Sequence, residues 1–148
     1  MTICAKARRD YFGNIVQGNV ILNDIGSIAA RYLQKIPRQF PGVTLDEYVV
    51  MPNHVHGIFV FNDNFNNTLL HVAQIDINSK ANILESLLEW YQICVKRYAI
   101  LHSIPLSWES RVFQQKIQDK AIYCIRDFIK ENPYEWEEDK DNPENLFM

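Results

Sequence analysis

The stretch VTLDEYVVMPNHVHGIFVF, residues 43–61, decides the fold expected of this chain. Its first half alternates, with one face made by Val43, Leu45, Glu47, Val49 and Met51. Its second half alternates again, with His54, His56, Ile58 and Val60 opposite Val55, Gly57, Phe59 and Phe61. The turn residues Pro52-Asn53 separate the two halves. Two alternating strands around a tight turn predict an antiparallel pair.

The rest of the chain adds helices to this pair. Apolar periodicity, helix-capping residues and turn residues predict a strand at Thr2–Ala7 and a hairpin at Asn14–Leu22 that turns at Gly18-Asn19. They also predict a helix at 23–37 capped by Asn23, and a loop at Asn62–Asn67. Two further helices are predicted, one from Asn78 or Ser79 to about Leu101 and one from Asp119 to Asn132-Pro133. Strands mixed irregularly with helices predict an α+β fold, an antiparallel sheet with helices packed on it. The 148 residues predict a single domain over 1–148.

Charge is distributed unevenly along the chain. The formal net charge is −3, yet residues 127–148 carry eight acidic and two basic side chains, while residues 1–126 carry a surplus of basic ones. The acidity therefore belongs to the C-terminal part, including a tail from about residue 134 in which Trp136 is a large apolar anchor.

Several classes of protein are disfavoured by the sequence. No apolar stretch approaches the roughly 18 residues of a membrane span, so we expect no membrane partner. The N-terminal residues lack the apolar core of a signal peptide. The cysteines are three in number and far apart, which argues against a disulfide framework. We therefore expect a cytoplasmic protein.

The His-x-His pair is the sharpest chemical feature of the sequence. Residues two apart in a strand point to the same face, so His54 and His56 can approach one divalent ion. Two histidines are an incomplete ligand set, and a third ligand must come from elsewhere in the fold. The alternative is a pair of half-exposed histidines that serve no metal.

Three separated segments resemble one family in the right order. Leu45–Val60 resembles the signature of the REP-associated tyrosine transposases, single-strand DNA nucleases with a His-hydrophobe-His motif. Residues 11–16 with 20–26 resemble the family's first hairpin and helix entry, and Ile125–Asp139 resembles its closing helix and the segment after it. Together these segments make the resemblance span nearly the whole chain.

The resemblance implies a ferredoxin-like (RRM-like) fold of transposase type and a metal-dependent site on its sheet. Members of this family cleave and rejoin single-stranded or hairpin DNA through a phosphotyrosine link, and act as monomers or homodimers. His54 and His56 match the family's metal ligands for Mg²⁺ or Mn²⁺, and Asn132 matches the third. Asn132 lies four residues beyond the nucleophile position, so one helix face carries both.

The nucleophile position is where this chain departs most from the family. That position holds Phe128, which has no hydroxyl. Tyr123 lies on another side of the helix and Tyr134 lies beyond its end. The alternative interpretation of Phe128 is an apolar core residue, like its neighbours Ile125 and Ile129.

A second departure concerns Ser107–Asp119 and the start of the chain. The family carries an acidic residue, a histidine and an arginine where this chain has Gln114, Gln115 and Gln118. The match also begins inside the first strand, which predicts a diverged and truncated member. We therefore expect impaired DNA cleavage. The alternatives are a non-catalytic DNA-binding remnant and a metal-dependent phosphodiesterase that uses water.

Basic residues predict where DNA would lie. Lys96 and Arg97, near the end of the long helix, and Arg126, near the expected site, are candidates for phosphate contacts. Solvated helix faces are the alternative for each of them. The acidic tail would repel DNA and instead cover a groove or an interface, with Trp136 docking it.

Overall fold

A three-stranded antiparallel sheet with helices packed against it forms the frame of the protein, which confirms the α+β prediction. The computed structural model describes residues 1–62, 80–140 and 142. The elements in these residues are β1 (Thr2–Cys4), β2 (Gly13–Val16), β3 (Asn19–Leu22), α1 (Asp24–Gln39), β4 (Val43–Val50), β5 (His54–Phe61), α2 (Lys80–Leu101) and α3 (Ile122–Glu131). The sheet order is β1-β5-β4, and β2 pairs with β3 in a separate hairpin.

The predicted pairing of β4 with β5 is present around the tight turn at residues 51–53. The turn closes where the backbone N–H of Met51 donates to the carbonyl of His54 at 2.8 Å. From there Val50 pairs with Val55, and Val49 pairs with His56. The two strands therefore form the antiparallel pair that the alternation predicts.

Because β4 contains a β-bulge, the prediction of which side chains share one face of this strand is wrong for half of it. Between Leu45 and Tyr48, β4 contains one residue more than the partner strand between Phe59 and Gly57. Tyr48 and Val50, rather than Glu47 and Val49, therefore pack with Leu45 against the core. The extra residue in the bulge shifts the two-residue alternation by one position.

The main core lies between one face of the sheet and the helices α1 and α2. Its buried side chains come from both layers and include Ile3 and Val55 of the sheet, Leu33 and Ile36 of α1, and Leu87 and Tyr91 of α2. Successive residues of a strand point to opposite faces. Because Val55 points into this core, its neighbours His54 and His56 point to the other face of the sheet, where α3 packs on β4 and β5.

Helix ends differ from the predictions by a few residues. The side chain of Asn23 caps α1 as predicted by accepting from Gly26 N at 2.9 Å, but α1 continues past Pro37 to Gln39. Proline here loses only one backbone donor in the last turn, so the helix is not stopped. Asp119 begins a 3₁₀ turn and does not cap α3. The predicted loop from residue 62 onwards and the cap at Asn78 or Ser79 lie outside the described residues, apart from Asn62 itself.

The β2–β3 hairpin turns one residue earlier than predicted. Gln17 and Gly18 both have positive φ angles, 52° and 72°, as the tight turns of two-residue hairpins require. The ring of Tyr134 packs directly over Gly18, and a side chain at Gly18 would collide with it. Tyr134 is thereby held at the hairpin.

No helix in the described part of the chain is long and apolar enough to cross a bilayer.

We predict that Leu87→Ala lowers the free energy of unfolding by about 2–5 kcal/mol, because Leu87 is fully buried between α1, α2 and the sheet and its loss leaves a cavity. The matched control is Leu101→Ala at the exposed end of the same helix, where 78% of the residue is accessible. The control should change stability by no more than about 0.5 kcal/mol. Urea unfolding followed by circular dichroism measures both, and equal losses would contradict the placement of α2.

Candidate metal centre

The two histidines of β5 lie side by side on the face of the sheet that α3 covers. Their ring centroids are 4.5 Å apart and the rings are inclined by 69°. His54 is fully buried and His56 is 8% exposed. The two imidazoles are therefore close enough to approach one small ion together, as the strand alternation predicts.

Hydrogen bonds orient the ring of His54. Its Nδ1 lies 2.8 Å from Oδ1 of Asn53, and the Nδ2 of Asn53 donates to the carbonyl of Arg8 at 3.1 Å. An amide oxygen only accepts, so Nδ1 of His54 carries the proton and donates it. In its uncharged form the ring then has its lone pair on Nε2, which is the tautomer that binds a metal through Nε2.

His56 is held by β1 and stays neutral. Its Nδ1 lies 2.8 Å from the hydroxyl oxygen of Thr2. The pKa of His56 is lowered from 6.5 to about 3, mainly because the ring is buried and in smaller part because His54, the N-terminal ammonium, Lys140 and Arg8 lie nearby. The neutral imidazole is the form in which histidine binds metals.

Asn132, the residue that caps the end of α3, lines the same cavity as His56. Asn132 is 2% exposed, and its Nδ2 donates to Oδ2 of Asp139 at 3.1 Å. Its Oδ1 is buried and accepts no hydrogen bond from any described residue. A buried carbonyl oxygen that accepts no hydrogen bond costs free energy, so this atom is open to a bound cation.

Phe128 also lies at this site and is not a core residue. Its ring centroid is 5.4 Å from that of His56, and 48% of the residue is exposed, whereas its neighbour Ile129 is 3% exposed. The interpretation of Phe128 as core packing is therefore wrong. Helix α3 buries Ile129 and presents Phe128 to the site.

His56, Phe128 and Asn132 line an open cavity of about 640 Å³. It is lined by Thr2, Cys4, Arg8, His56, Phe113, Phe128, Asn132, Glu135, Glu138, Asp139 and Lys140. A second cavity of about 350 Å³ also has Thr2, His56, Phe113 and Phe128 in its wall. The aromatic ring of Phe128 therefore borders both cavities.

The acidic segment folds onto this site. Trp136 is 9% exposed, and its ring centroid lies 6.1 Å from that of His54, so it docks the segment as predicted. Glu135, Glu138 and Asp139 consequently line the larger cavity. The described part of the tail covers the histidine site, and the rest of the predicted tail lies outside the described residues.

The three residues predicted to bind DNA lie elsewhere. The ammonium of Lys96 donates to the carbonyl of Leu106, and Arg97 is exposed on α2. Arg126 forms an ion pair with Asp46 in the bulge of β4, with an N–O distance of 2.9 Å. None of the three belongs to the walls of the two cavities, and their contact with DNA stays a prediction.

Residues that sequence reasoning did not single out complete the cavity wall. Thr2, Arg8, Asp139 and Lys140 line it. The available signal for Arg8 is the basic run 6–9 directly after the first strand. Ala7 and Arg8 have φ angles of 58° and 51°, a left-handed bend that side-chain-bearing residues rarely adopt and that is more frequent near functional sites.

The donor set fits a divalent ion. Within the described residues no three His, Cys, Asp or Glu side chains come together closely enough to hold a metal. The resemblance implies Asn132 as the third donor beside His54 and His56, and Asn132 lines the same cavity as His56. Two imidazoles and one oxygen suit Mn²⁺ better than Mg²⁺, which prefers oxygen ligands.

Comparison with known proteins adds one relative. The chain is 29% identical to an uncharacterized protein of Haemophilus influenzae over 147 residues, which cover 95% of this chain and 82% of that protein. No family model matches the chain, and no solved structure matches it.

We predict that acid destabilises the metal-free protein partly through His56. The unfolded chain binds a proton at this residue below about pH 6.5, but the folded chain does so only near pH 3. The stability linked to the neutral ring is therefore full above pH 6.5 and is lost as the pH falls toward 3.

The variant His56→Gln removes this titration. Between pH 7.5 and pH 5 we expect it to lose about 2 kcal/mol less unfolding free energy than the unaltered chain. Urea unfolding in EDTA at the two pH values measures the difference. An identical loss in both proteins would show that His56 is not buried as a neutral ring.

Proposed function

We propose that this chain is a transposase-like protein that binds single-stranded or hairpin DNA at a divalent ion, Mg²⁺ or Mn²⁺, held by His54, His56 and Asn132. The observation that supports this most is the meeting of β5 with α3. These elements are about 70 residues apart in sequence, yet His56, Phe128 and Asn132 line one cavity and His54 lies beside His56. This is the arrangement that the resemblance to the REP-associated tyrosine transposases implies.

The chain's own residues prepare this site for a phosphate group. Asn53 and Thr2 orient the two histidines, and Arg8 and Lys140 add positive charge to the cavity wall. A bound divalent ion would supply concentrated positive charge and polarise a phosphate oxygen. The half-exposed ring of Phe128 offers an apolar face beside His56 on which a base can stack.

The proposal is DNA binding without a covalent link. Phe128 stands at the nucleophile position and has no hydroxyl to attack a phosphodiester. Tyr123 and Tyr134 do not replace it, since both are 70% exposed and belong to neither cavity wall. The family chemistry of cleavage and rejoining would therefore be impaired by one missing oxygen atom.

We predict that Phe128→Tyr restores covalent chemistry. With Mn²⁺ and a labelled DNA hairpin, the variant should form a protein–DNA adduct on a denaturing gel, because the new hydroxyl lies beside His56 and the ion. The unaltered chain should form none. The double variant Phe128→Tyr with His54→Ala is the control, and it should lose the adduct.

Two results would contradict the proposal in different ways. An adduct with the unaltered chain would show that another residue is the nucleophile. Failure of the unaltered chain to retain hairpin DNA in the presence of Mn²⁺ would remove DNA binding itself.

We further predict that Arg8 contributes a phosphate contact. Arg8→Gln should weaken hairpin binding and reduce the slope of log K against log salt by about one contact. Arg97→Gln on α2 is the comparison, since Arg97 is a sequence-predicted contact that lies away from the cavity. A slope that falls for Arg97→Gln alone would place the DNA along α2. Filter binding from 50 to 300 mM salt gives both slopes.

A second candidate function is a metal-dependent phosphodiesterase that uses water. The carboxylates of Glu135 and Glu138 in the cavity wall favour it, because a carboxylate near a metal can accept a proton from water. Its test is Mn²⁺-dependent turnover of a generic phosphodiester by the unaltered chain. Turnover that His54→Ala abolishes, without retention of DNA, would support this function over the first.

The proposal places the protein in the cytoplasm, where DNA and a reducing environment are both present. Cys4, Cys94 and Cys124 are all thiols in the structure, in agreement with that environment.

A further inference from the structure

The segment that follows α3 touches both halves of the candidate metal centre. Trp136 packs against His54, and three residues later Asp139 accepts a hydrogen bond from Asn132. The proposed ligand set and the family motif leave this acidic segment without a role. Its contacts nevertheless fall on two of the three proposed ligands.

The backbone around Asp139 is fixed in place. The N–H of Asp139 donates to the carbonyl of Trp136 at 3.2 Å, and the N–H of Asn142 donates to the carbonyl of Asp139 at 3.0 Å. The side chain of Asn142, which is 5% exposed, also donates to the carbonyl of Trp136 at 2.9 Å. With Trp136 buried, these bonds present the carboxylate of Asp139 to Asn132 in one position.

The contact between Asp139 and Asn132 is directional. A side-chain amide has an oxygen at one end and an NH₂ group at the other, and rotation by 180° exchanges them. An ionised carboxylate only accepts hydrogen bonds, so it selects the NH₂ end of Asn132. The oxygen Oδ1 is thereby turned away from Asp139, and it is this buried oxygen that accepts no hydrogen bond from any described residue.

We propose that Asp139 is a positioning residue that orients the amide of Asn132 so that Oδ1 is presented to a divalent ion. This inference rests on the proposed metal site and extends it into the acidic segment. Histidine residues that bind a metal often donate a hydrogen bond to a carboxylate, which fixes their orientation. Here an amide ligand has the same support, supplied by a residue seven positions further along the chain.

The proposed role of Asp139 depends on its hydrogen bond and not only on its negative charge. The chain contains a control residue with the same charge. Glu138 lies one residue earlier, carries the same charge and lines the same cavity. Asp139→Asn and Glu138→Gln each remove one negative charge from the cavity. Only the first also removes the selection of the amide orientation, because the new amide can either donate or accept.

The test is Mn²⁺ binding by titration calorimetry, with circular dichroism confirming that each variant is folded. Asp139→Asn should weaken Mn²⁺ binding at least about tenfold, the effect typical of residues that support a metal ligand. Glu138→Gln should weaken it less than about threefold, since the same charge is lost without the hydrogen bond to Asn132. Equal weakening in both variants would overturn the inference.

An exchange of the two residues provides a rescue. In the double variant Asn132→Asp with Asp139→Asn, the donor and the acceptor are swapped across the same contact, and a carboxylate oxygen faces the ion whichever way it turns. Binding should return to within about threefold of the unaltered chain or become tighter, because a ligand carboxylate adds charge. Affinity that stays as low as in Asp139→Asn would contradict an orienting role.

Water relaxation separates an orienting residue from a direct ligand. At saturating Mn²⁺ the amide of Asn132 can still turn to the ion in Asp139→Asn, so the number of metal-bound waters should not change. Asn132→Ala should raise that number by one. A rise of one in Asp139→Asn would make Asp139 a ligand and overturn the inference.

Failure of the metal site and failure of this inference give different results. If the unaltered chain binds no Mn²⁺, or if His54→Ala binds it equally well, both the proposed metal centre and this inference are contradicted. If His54→Ala abolishes binding but Asp139→Asn leaves it unchanged, the centre stands and only the role of Asp139 is removed.

Discussion

The antiparallel pairing of β4 with β5 around the turn at residues 51–53 is the constraint on which the rest of the structure depends. It places Val55 against α1 and α2 in the core. The two-residue period of a strand then forces His54 and His56 onto the opposite face. A slip of one residue would bury the wrong side chains, so the apolar core itself holds the histidines at the site.

Because the histidine face has to be covered, a second layer is built there. α3 packs Ile129 against that face, while Arg126 pairs with Asp46 and Lys130 with Glu47 in the β4 bulge. The bulge therefore has a structural role, since it turns two carboxylates toward the basic side chains of α3. With α3 held in this way, Phe128 contacts His56 and Asn132 lines the same cavity.

The acidic C-terminal segment lies at the cavity beside the histidines. The acidic segment does not extend into solvent as a separate tail over its described residues. Trp136 anchors it beside His54, and its carboxylates join Arg8 and Lys140 in the cavity wall. The proposed binding of a cation and a phosphate together is consistent with a cavity wall that carries both carboxylates and basic side chains.

Local sequence patterns were sufficient to predict the individual strands and helices of this protein. The alternation of residues 43–61 predicted the strand pair and the shared face of His54 and His56, because a strand's periodicity is a property of the backbone. Apolar periodicity likewise predicted the three helices to within a few residues. Which β4 side chains face the core could not be predicted beyond Leu45, because the bulge depends on how β4 packs with its partner strand and with α3.

What the sequence by itself determined is the set of elements, the histidine pair and the absence of a hydroxyl at Phe128. Only the tertiary structure decided that Phe128 lies on a cavity and not in the core, and that Lys96 and Arg126 are engaged elsewhere. It also decided that Arg8 and Asp139 belong to the site. The physical reason is distance along the chain: these side chains meet through the packing of β1, α3 and the acidic segment, and no local periodicity encodes contacts between residues so far apart in sequence.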